Sequence, residues 1–317
     1  MTVLVTGASG MIGCELARQL AAAGETVVAA DIRPLPLPAE VTAGITFANV
    51  NVAIQGEVID LVRSIGASRV FHLAAMLSQQ AERRHLLAFE VNVRGAYNVM
   101  EAARLGGVER VVYVSSIGVY GRDLSPVIDD YSLERPDIHY GCAKHVAENL
   151  GRWYVDRFKM DFRAIRYPMV AGPCDRAPAH WAPPMIEDAL AGRAHSCVEA
   201  APNSTSLLMS VGDAARAARE LMAAPPDAVR TRCYTVLGMP GSTVVSEMGE
   251  LLKRRFQGFE VTYEREQKPK LFRTIDDRYA RTEWGWKPEH LTAEALIDDF
   301  ALRHQRPAEY WTPALPA

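Results

Sequence analysis

A glycine-rich turn lies between a strand and a helix at the start of the chain, and no other feature restricts the fold as strongly. Val3-Leu4-Val5-Thr6 reads as a buried strand, Gly7-Ala8-Ser9-Gly10-Met11-Ile12-Gly13 follows, and Leu16, Ala17, Leu20 and Ala21 recur at helical spacing. Gly7 suits a tight turn, Gly10 lets a pyrophosphate approach the backbone, and Gly13 lets the helix pack closely on the strand. The helix start adds free N–H groups and a partial positive charge for phosphates. A second strand over residues 26–30 ends on Asp31, where a carboxylate can meet a ribose 2′-hydroxyl. A glycine turn alone can simply be tight packing. With a strand before it, a helix after it and an acid at the second strand end, it reads as a dinucleotide site.

The bulk properties exclude several classes. A chain of 317 residues supports one large domain or two smaller ones. Net charge is −3, and the one tight basic run, Lys253-Arg254-Arg255, reads as a solvated helix flank, so no nucleic-acid partner is expected. No apolar stretch approaches the roughly 18 residues of a membrane span. The first strand begins at residue 3, leaving no room for a signal peptide. Cys14, Cys142, Cys174, Cys197 and Cys233 are odd in number, scattered and without the usual zinc-ligand spacing. These features predict a cytoplasmic protein with no metal.

Up to about residue 170, short β-branched runs alternate with helical stretches. Further strands are expected at 46–49, 69–74, 110–115 and 162–167, with helices at 55–65, 83–105 and 140–158. The continuous apolar runs at 69–75 and 110–116 suit parallel strands covered on both faces. This alternation predicts an α/β fold, a doubly wound parallel sheet with right-handed crossovers. Beyond Pro168 the chain becomes loop-rich, with Gly172-Pro173, Pro178 and Pro183-Pro184. Helices follow near 185–192, 211–223 and 244–256, and strands near 232–237 and 259–264. Residues 1–170 are therefore read as the dinucleotide-binding domain, with 205–240 partly rejoining its sheet. Residues 171–204 and 241–317 form a smaller, interleaved substrate-binding cap.

Tyr140-Gly-Cys-Ala-Lys144 is the second decisive feature. At helical spacing, Tyr140 and Lys144 share a face. A phenol ionises near pH 10, too high for a base at neutrality, and a lysine ammonium close by lowers that value. Ser116, at a strand's carboxyl end, is placed to bond a substrate hydroxyl or carbonyl, because open α/β sheets bind ligands there. His139 reads as a cap residue and Cys142 as core, since no base adjoins the thiol.

Several further segments complete a pattern: Phe71-His72-Leu73-Ala74-Ala75, Asn92-Val93-x-Gly95, Ser115-Ser116, and Arg166-Tyr167-Pro168 with Gly172-Pro173 after it. With the G-x-x-G-x-x-G turn and Tyr140-x-x-x-Lys144, the whole chain resembles the extended short-chain dehydrogenase/reductase family, which includes NAD-dependent epimerases and dehydratases. The resemblance implies a Rossmann sheet and a nicotinamide cofactor. It implies Tyr140 as acid/base, Lys144 as its electrostatic partner and Ser116 as the substrate-orienting hydroxyl. Leu73, Ala74 and Ala75 would line the cofactor with Asn92 and Ser115 nearby. Tyr167, Pro168 and Val170 would flank the nicotinamide. Asn49-Val50 stands where the family has an acid and an apolar residue near adenine. Asp31 favours NAD by repelling a 2′-phosphate, whereas Arg33 leaves NADP open.

Within that family the chain is most similar to two branches, the epimerase-like L-threonine 3-dehydrogenases and the dehydrogenases of small sugar acids. Residues 171–184 depart from the threonine-enzyme pattern, which has a Gly/Thr-rich stretch there. Ser78, Gln79, His180, Trp181 and Ser206 are candidate substrate contacts, although Trp181 has an alternative role in packing the cap. The leading reading is an NAD-dependent dehydrogenase of a secondary alcohol on a small polar metabolite, a hydroxy-amino acid such as L-threonine or a sugar acid. A sugar-nucleotide epimerase is the second reading, with Arg176, Arg193 or Arg230 clamping a diphosphate. A cofactor-sensing regulator is the third, and the presence of both Tyr140 and Lys144 argues against it. Leu86, Leu87, Val91, Tyr97 and Val99, with Val146, Leu150, Trp153 and Phe158, give two helices apolar residues on more than one face. That pattern predicts a homodimer.

Overall fold

A computed structural model describes residues 1–36, 43–121, 125–173, 180–265 and 274–304. Cys174 and Arg176 lie outside the described residues. The amino-terminal half runs β1 (Thr2–Thr6), α1 (Met11–Ala22), β2 (Thr26–Asp31), β3 (Ile45–Asn49), α2 (Gln55–Ile65), β4 (Ala67–His72), α3 (Ser78–Arg83), α4 (His85–Phe89), α5 (Gly95–Leu105) and β5 (Arg110–Ser116). After β6 (Val127–Ile128) come α6 (His139–Phe158), β7 (Asp161–Tyr167), β8 (Met169–Ala171), α7 (Ala182–Leu190) and β9 (His195–Cys197). The remainder is β10 (Thr205–Ser206), β11 (Leu208–Ser210), α8 (Val211–Ala223), β12 (Cys233–Thr235), β13 (Thr243–Val244) and α9 (Val245–Arg255). It closes with β14 (Val261–Tyr263), β15 (Thr274–Ile275), α10 (Arg278–Trp284) and α11 (Ala293–His304).

Seven strands form one parallel sheet in the order β12-β7-β5-β4-β1-β2-β3. Alternation along β1 explains how both faces are covered. Val3 and Val5 point into a core shared with α1 and α8, and Leu4 into one shared with α2, α5 and α6. β12 brings the chain back to the sheet edge, its Cys233 in register with Ala164. Glu283 on α10 fixes that return by accepting from the N–H groups of Arg230 and Thr231 and from the Tyr234 hydroxyl. Trp286 is fully buried in the core on the α8 side, and its indole N–H donates to the Leu237 carbonyl.

A separate apolar cluster lies beyond Pro168, joining Met185 and Ile186 of α7, Met248 and Leu252 of α9, and Leu296, Ile297 and Phe300 of α11. Pro183 and Pro184 in the first turn of α7 need no amide hydrogen there. The basic run at the end of α9 sits where cations complement the helix dipole, and Lys253 and Arg255 pair with Glu250 and Asp298.

One expected element is corrected. The single helix anticipated over 83–105 is instead broken once and widened once: α3 ends at Arg83, and α4, a wide π turn over Glu90–Arg94 and α5 then run on continuously. Arg84 leaves the helical region, with φ −130° and ψ 54°, which breaks the first junction. The π turn inserts an extra residue into the helical repeat, and this turns Asn92 inward, where it is buried. Among the described residues no helix is long and apolar enough to cross a membrane.

Candidate active site

The site is built at the carboxyl ends of the strands, from main chain outward. Gly7 has φ +70°, and a Cβ there would lie 2.5 Å from the Ala74 nitrogen. A Cβ on Gly13 would lie 2.2 Å from the Gly7 carbonyl oxygen. Both glycines are therefore required by backbone packing. Gly10 differs, because its Cβ would meet only the Gly7 oxygen, at 3.3 Å. Space beside Gly10 is thus left open, as a pyrophosphate cradle needs. α1 starts without a side-chain cap and with no acid in its first turn, so the amides at Met11 and Ile12 keep their anion-binding capacity. A dinucleotide fits this cradle.

Asp31 ties the turn to the end of β2. Its Oδ2 accepts from the Ser9 N–H at 3.0 Å and its Oδ1 from the Arg33 N–H at 3.1 Å. The Ser9 hydroxyl donates to the Arg33 carbonyl at 2.8 Å. Each carboxylate oxygen retains a second lone pair for a ribose hydroxyl. Asn49 is the register partner of Asp31, and the Val50 N–H donates to the Asp31 carbonyl. Leu73 is hydrogen-bonded to the Thr6 carbonyl, so Leu73, Ala74 and Ala75 run alongside the glycine turn. Asn92 holds that segment: its Oδ1 accepts from the Met76 N–H at 2.7 Å and its Nδ2 donates to the Met76 carbonyl at 2.9 Å. Asn92 is therefore a positioning residue for the loop.

Ser116, Tyr140 and Lys144 come together. Ser116 ends β5 and its hydroxyl accepts from the Gly118 N–H at 3.1 Å. The Ser116 hydroxyl and the Tyr140 ring meet at Gly118, where a Cβ would lie 3.4 Å from the hydroxyl oxygen and 3.8 Å from the ring. Their alignment is set by two glycines that sequence reasoning passed over. A Cβ on Gly141 would sit 2.2 Å from the Gly118 oxygen, so the start of α6 lies directly on the turn after β5. The glycine following Tyr140 in the motif was the available signal.

Lys144 is buried, and its ammonium donates to the Val114 carbonyl at 2.6 Å. It lies 4.6 Å from the Tyr113 ring centroid and 5.5 Å from that of Tyr140. The expected lowering of the phenol by this ammonium is not what the structure holds. Burial pushes Tyr140 up to about 12, against the lowering hydrogen bond from Ser116. Burial also brings Lys144 down to about 7, against the raising charge of Glu148. The physical reason is burial itself, since removing the phenolate from water costs more than the lowering influence of Ser116 offsets. His72 is a further member that sequence reasoning left in the strand. It shares a 2.7 Å hydrogen bond with Thr6, and burial, then the charge of Lys144, bring its imidazole down to about 3.

Other expected residues have varied placements. Ser115 is buried, and its hydroxyl has no hydrogen-bond partner among the described residues. Tyr167 is buried with its hydroxyl on the Ala214 carbonyl at 2.5 Å, and Pro168 and Val170 are buried beside it. Ser78 and Gln79 are half-buried at the start of α3. Trp181 is buried in the apolar cluster of α7, α9 and α11 and its indole donates to Ser206 at 3.0 Å, so these two candidates bond each other. His180 is half-buried, its Nδ1 has no hydrogen-bond partner among the described residues, and burial lowers its pKa. Arg193 is engaged by Asp188 at 2.8 Å, and Arg230, before β12, lies toward the amino ends of the strands.

Comparisons agree with this geometry. The model of the NAD dependent epimerase/dehydratase family matches residues 3–236. A mitochondrial L-threonine 3-dehydrogenase of Sus scrofa is 30% identical over 324 residues, covering 97% of this chain and 84% of that one. The holo form of a GalE-like L-threonine dehydrogenase from Cupriavidus necator superposes with a TM-score of 0.85 at 29% identity, over 95% of this chain and 99% of that one. A UDP-glucose 4-epimerase from Thermotoga maritima, at 21% identity and TM-score 0.82 over 96% and 99%, shares the fold. The chain belongs to the NAD dependent epimerase/dehydratase family, and it is an NAD-dependent enzyme.

Proposed function

We propose that the protein is an L-threonine dehydrogenase, oxidising the secondary alcohol at C3 of the amino acid. The observation that carries this reading is the Ser116–Tyr140–Lys144 group at the carboxyl end of β5, with the Lys144 ammonium held on the Val114 carbonyl. Similarity along nearly the whole chain to L-threonine 3-dehydrogenases supports the substrate. NAD, when bound, supplies the hydride acceptor and a positive charge. The Gly7–Gly13 turn and Asp31 would hold it. Ser116 orients the substrate hydroxyl and Tyr140 removes its proton at the phenol oxygen. Lys144, when protonated, would favour the ionised phenol that this step needs. Ser78, Gln79 and His180 contact the amino acid from the cap side, and residues 171–204 and 241–317 act as that cap.

Purified protein with NAD and L-threonine should form NADH, and Tyr140→Phe should lower kcat by about 10²–10⁴-fold. A small sugar acid turned over in place of threonine would move the substrate assignment. Interconversion of a UDP-sugar with no net NADH would replace the reading by epimerisation, which the engagement of Arg193 by Asp188 disfavours.

We also infer a cytoplasmic homodimer. Leu86, Phe89, Tyr97, Val146 and Trp153 are exposed large apolar groups on α4, α5 and α6, a continuous face suited to a two-fold copy. Free Cys14, Cys142, Cys197 and Cys233 fit a reducing compartment, which cell fractionation checks. Light scattering should give twice the chain mass, and Trp153→Glu should halve it.

A further inference from the structure

The segment after α7 contains a second chemical cluster, made of residues other than those assigned to NAD and substrate. β9 alternates, with His195 and Cys197 buried and Ser196 outward, and Glu199 follows at the next alternate position. One donor atom from each of His195, Cys197 and Glu199 lies within 4.8 Å of the others. The expectation of no metal rested on the absence of paired-cysteine spacing. Alternation along a strand brings ligands to one face just as effectively.

Two observations beyond proximity point to an ion. The His195 Nδ1 is bonded to Asp188 Oδ2 at 2.9 Å, and Arg193 holds the other Asp188 oxygen at 3.0 and 2.8 Å. A carboxylate in that position puts the imidazole proton on Nδ1 and leaves a lone pair on Nε2. This is the outer-shell arrangement that orients metal-binding histidines. His195 is 5% exposed, and its Nε2 is buried without a hydrogen-bond partner among the described residues. Glu199 Oε2 is likewise buried and unpartnered. Burying a histidine nitrogen and a carboxylate oxygen without partners is costly, and a cation would remove that cost.

We propose that His195 Nε2, Cys197 Sγ and Glu199 bind a zinc-class divalent ion, with water as the fourth ligand. A nitrogen, sulfur and carboxylate set suits zinc and disfavours magnesium or calcium. Thiolate and carboxylate together neutralise the ion, and the Cys197 proton leaves to solvent on binding. This requires Sγ to release its 3.5 Å hydrogen bond to the Ala200 carbonyl. Tetrahedral zinc places its ligands about 3.5 Å apart, so the group must close by roughly an ångström, within reach of the half-buried Glu199 side chain. The ion is structural. It ties α7, through Asp188, to β9 and thus to β14, whose Val261 and Tyr263 pair with His195 and Cys197.

Full-length protein stripped with a chelator should take up one cobalt(II) per chain. A near-ultraviolet thiolate charge-transfer band and tetrahedral visible bands should appear, and zinc should bleach them. Cys197→Ser should abolish the charge-transfer band, whereas Cys233→Ser, at another buried cysteine, should leave it unchanged. Glu199→Gln, at a half-buried position that keeps the fold, should weaken zinc at least 10-fold. Asp188→Asn should weaken it about 10- to 100-fold. Absence of a charge-transfer band in the parent protein, or zinc affinity unchanged in Glu199→Gln, would overturn the site even if Cys197→Ser failed to fold.

Discussion

Two buried cations border α6, and the protein treats them oppositely. Arg166 is fully enclosed by Glu148, Glu134, the Tyr120 hydroxyl and the Asp130 carbonyl. Burial alone would push its pKa down, but hydrogen bonds and charge from Glu148 outweigh that and keep it ionised. Lys144 sits one helical turn from Glu148, yet both Glu148 oxygens already accept from Arg166, at 2.9 and 3.1 Å. It is left with a carbonyl and two aromatic rings. A cation that holds the fold is compensated at every donor. A cation proposed for chemistry is left under-compensated, so that its proton is easily lost near neutral pH.

Substitutions at these two positions should separate the two treatments. Lys144→Met should lower kcat by about 10²–10⁴-fold while leaving stability at neutral pH equal or higher, because a poorly solvated cation is removed. Arg166→Met should leave Glu148 buried and unpaired and cost about 3–5 kcal/mol in urea unfolding. Adding Glu148→Leu should recover part of that loss, which would mark the charge rather than the packing as the cause. The last effect is a slope. Lys144 titrates near 7 when folded and near 10.5 when unfolded, so between these values the unfolded chain binds more protons. Stability of the parent relative to Lys144→Met should therefore rise across that window, by at most about 1.4 kcal/mol per pH unit. A flat difference would mean that Lys144 is compensated as Arg166 is.

The same contrast explains what could be read from the sequence. The apolar runs at 69–75 and 110–116 announced central parallel strands, and β4 and β5 occupy those places. Tyr140 and Lys144 were legible because helical spacing is local. Partners across the fold were not. Nothing near Arg166 in the sequence shows that Glu148 and Glu134 would enclose it, and that pairing determines the state of Lys144. The π turn that aims Asn92 at Met76 was hidden for a similar reason, since its extra residue carries no local mark. Trp181 and Ser206 each looked like a pocket residue, and only the folded cap shows them bonded to each other.

The Gly118–Gly141 contact has a consequence for how such a molecule can be altered. There main chain rests on main chain, so the spacing between Ser116 and Tyr140 depends on no variable side chain. Reshaping the proposed substrate rim, at Ser78, Gln79 or His180, leaves that spacing untouched. The protein is thus divided for an engineer into a fixed reacting axis and an editable rim. A library confined to the rim tests new substrates against unchanged chemistry.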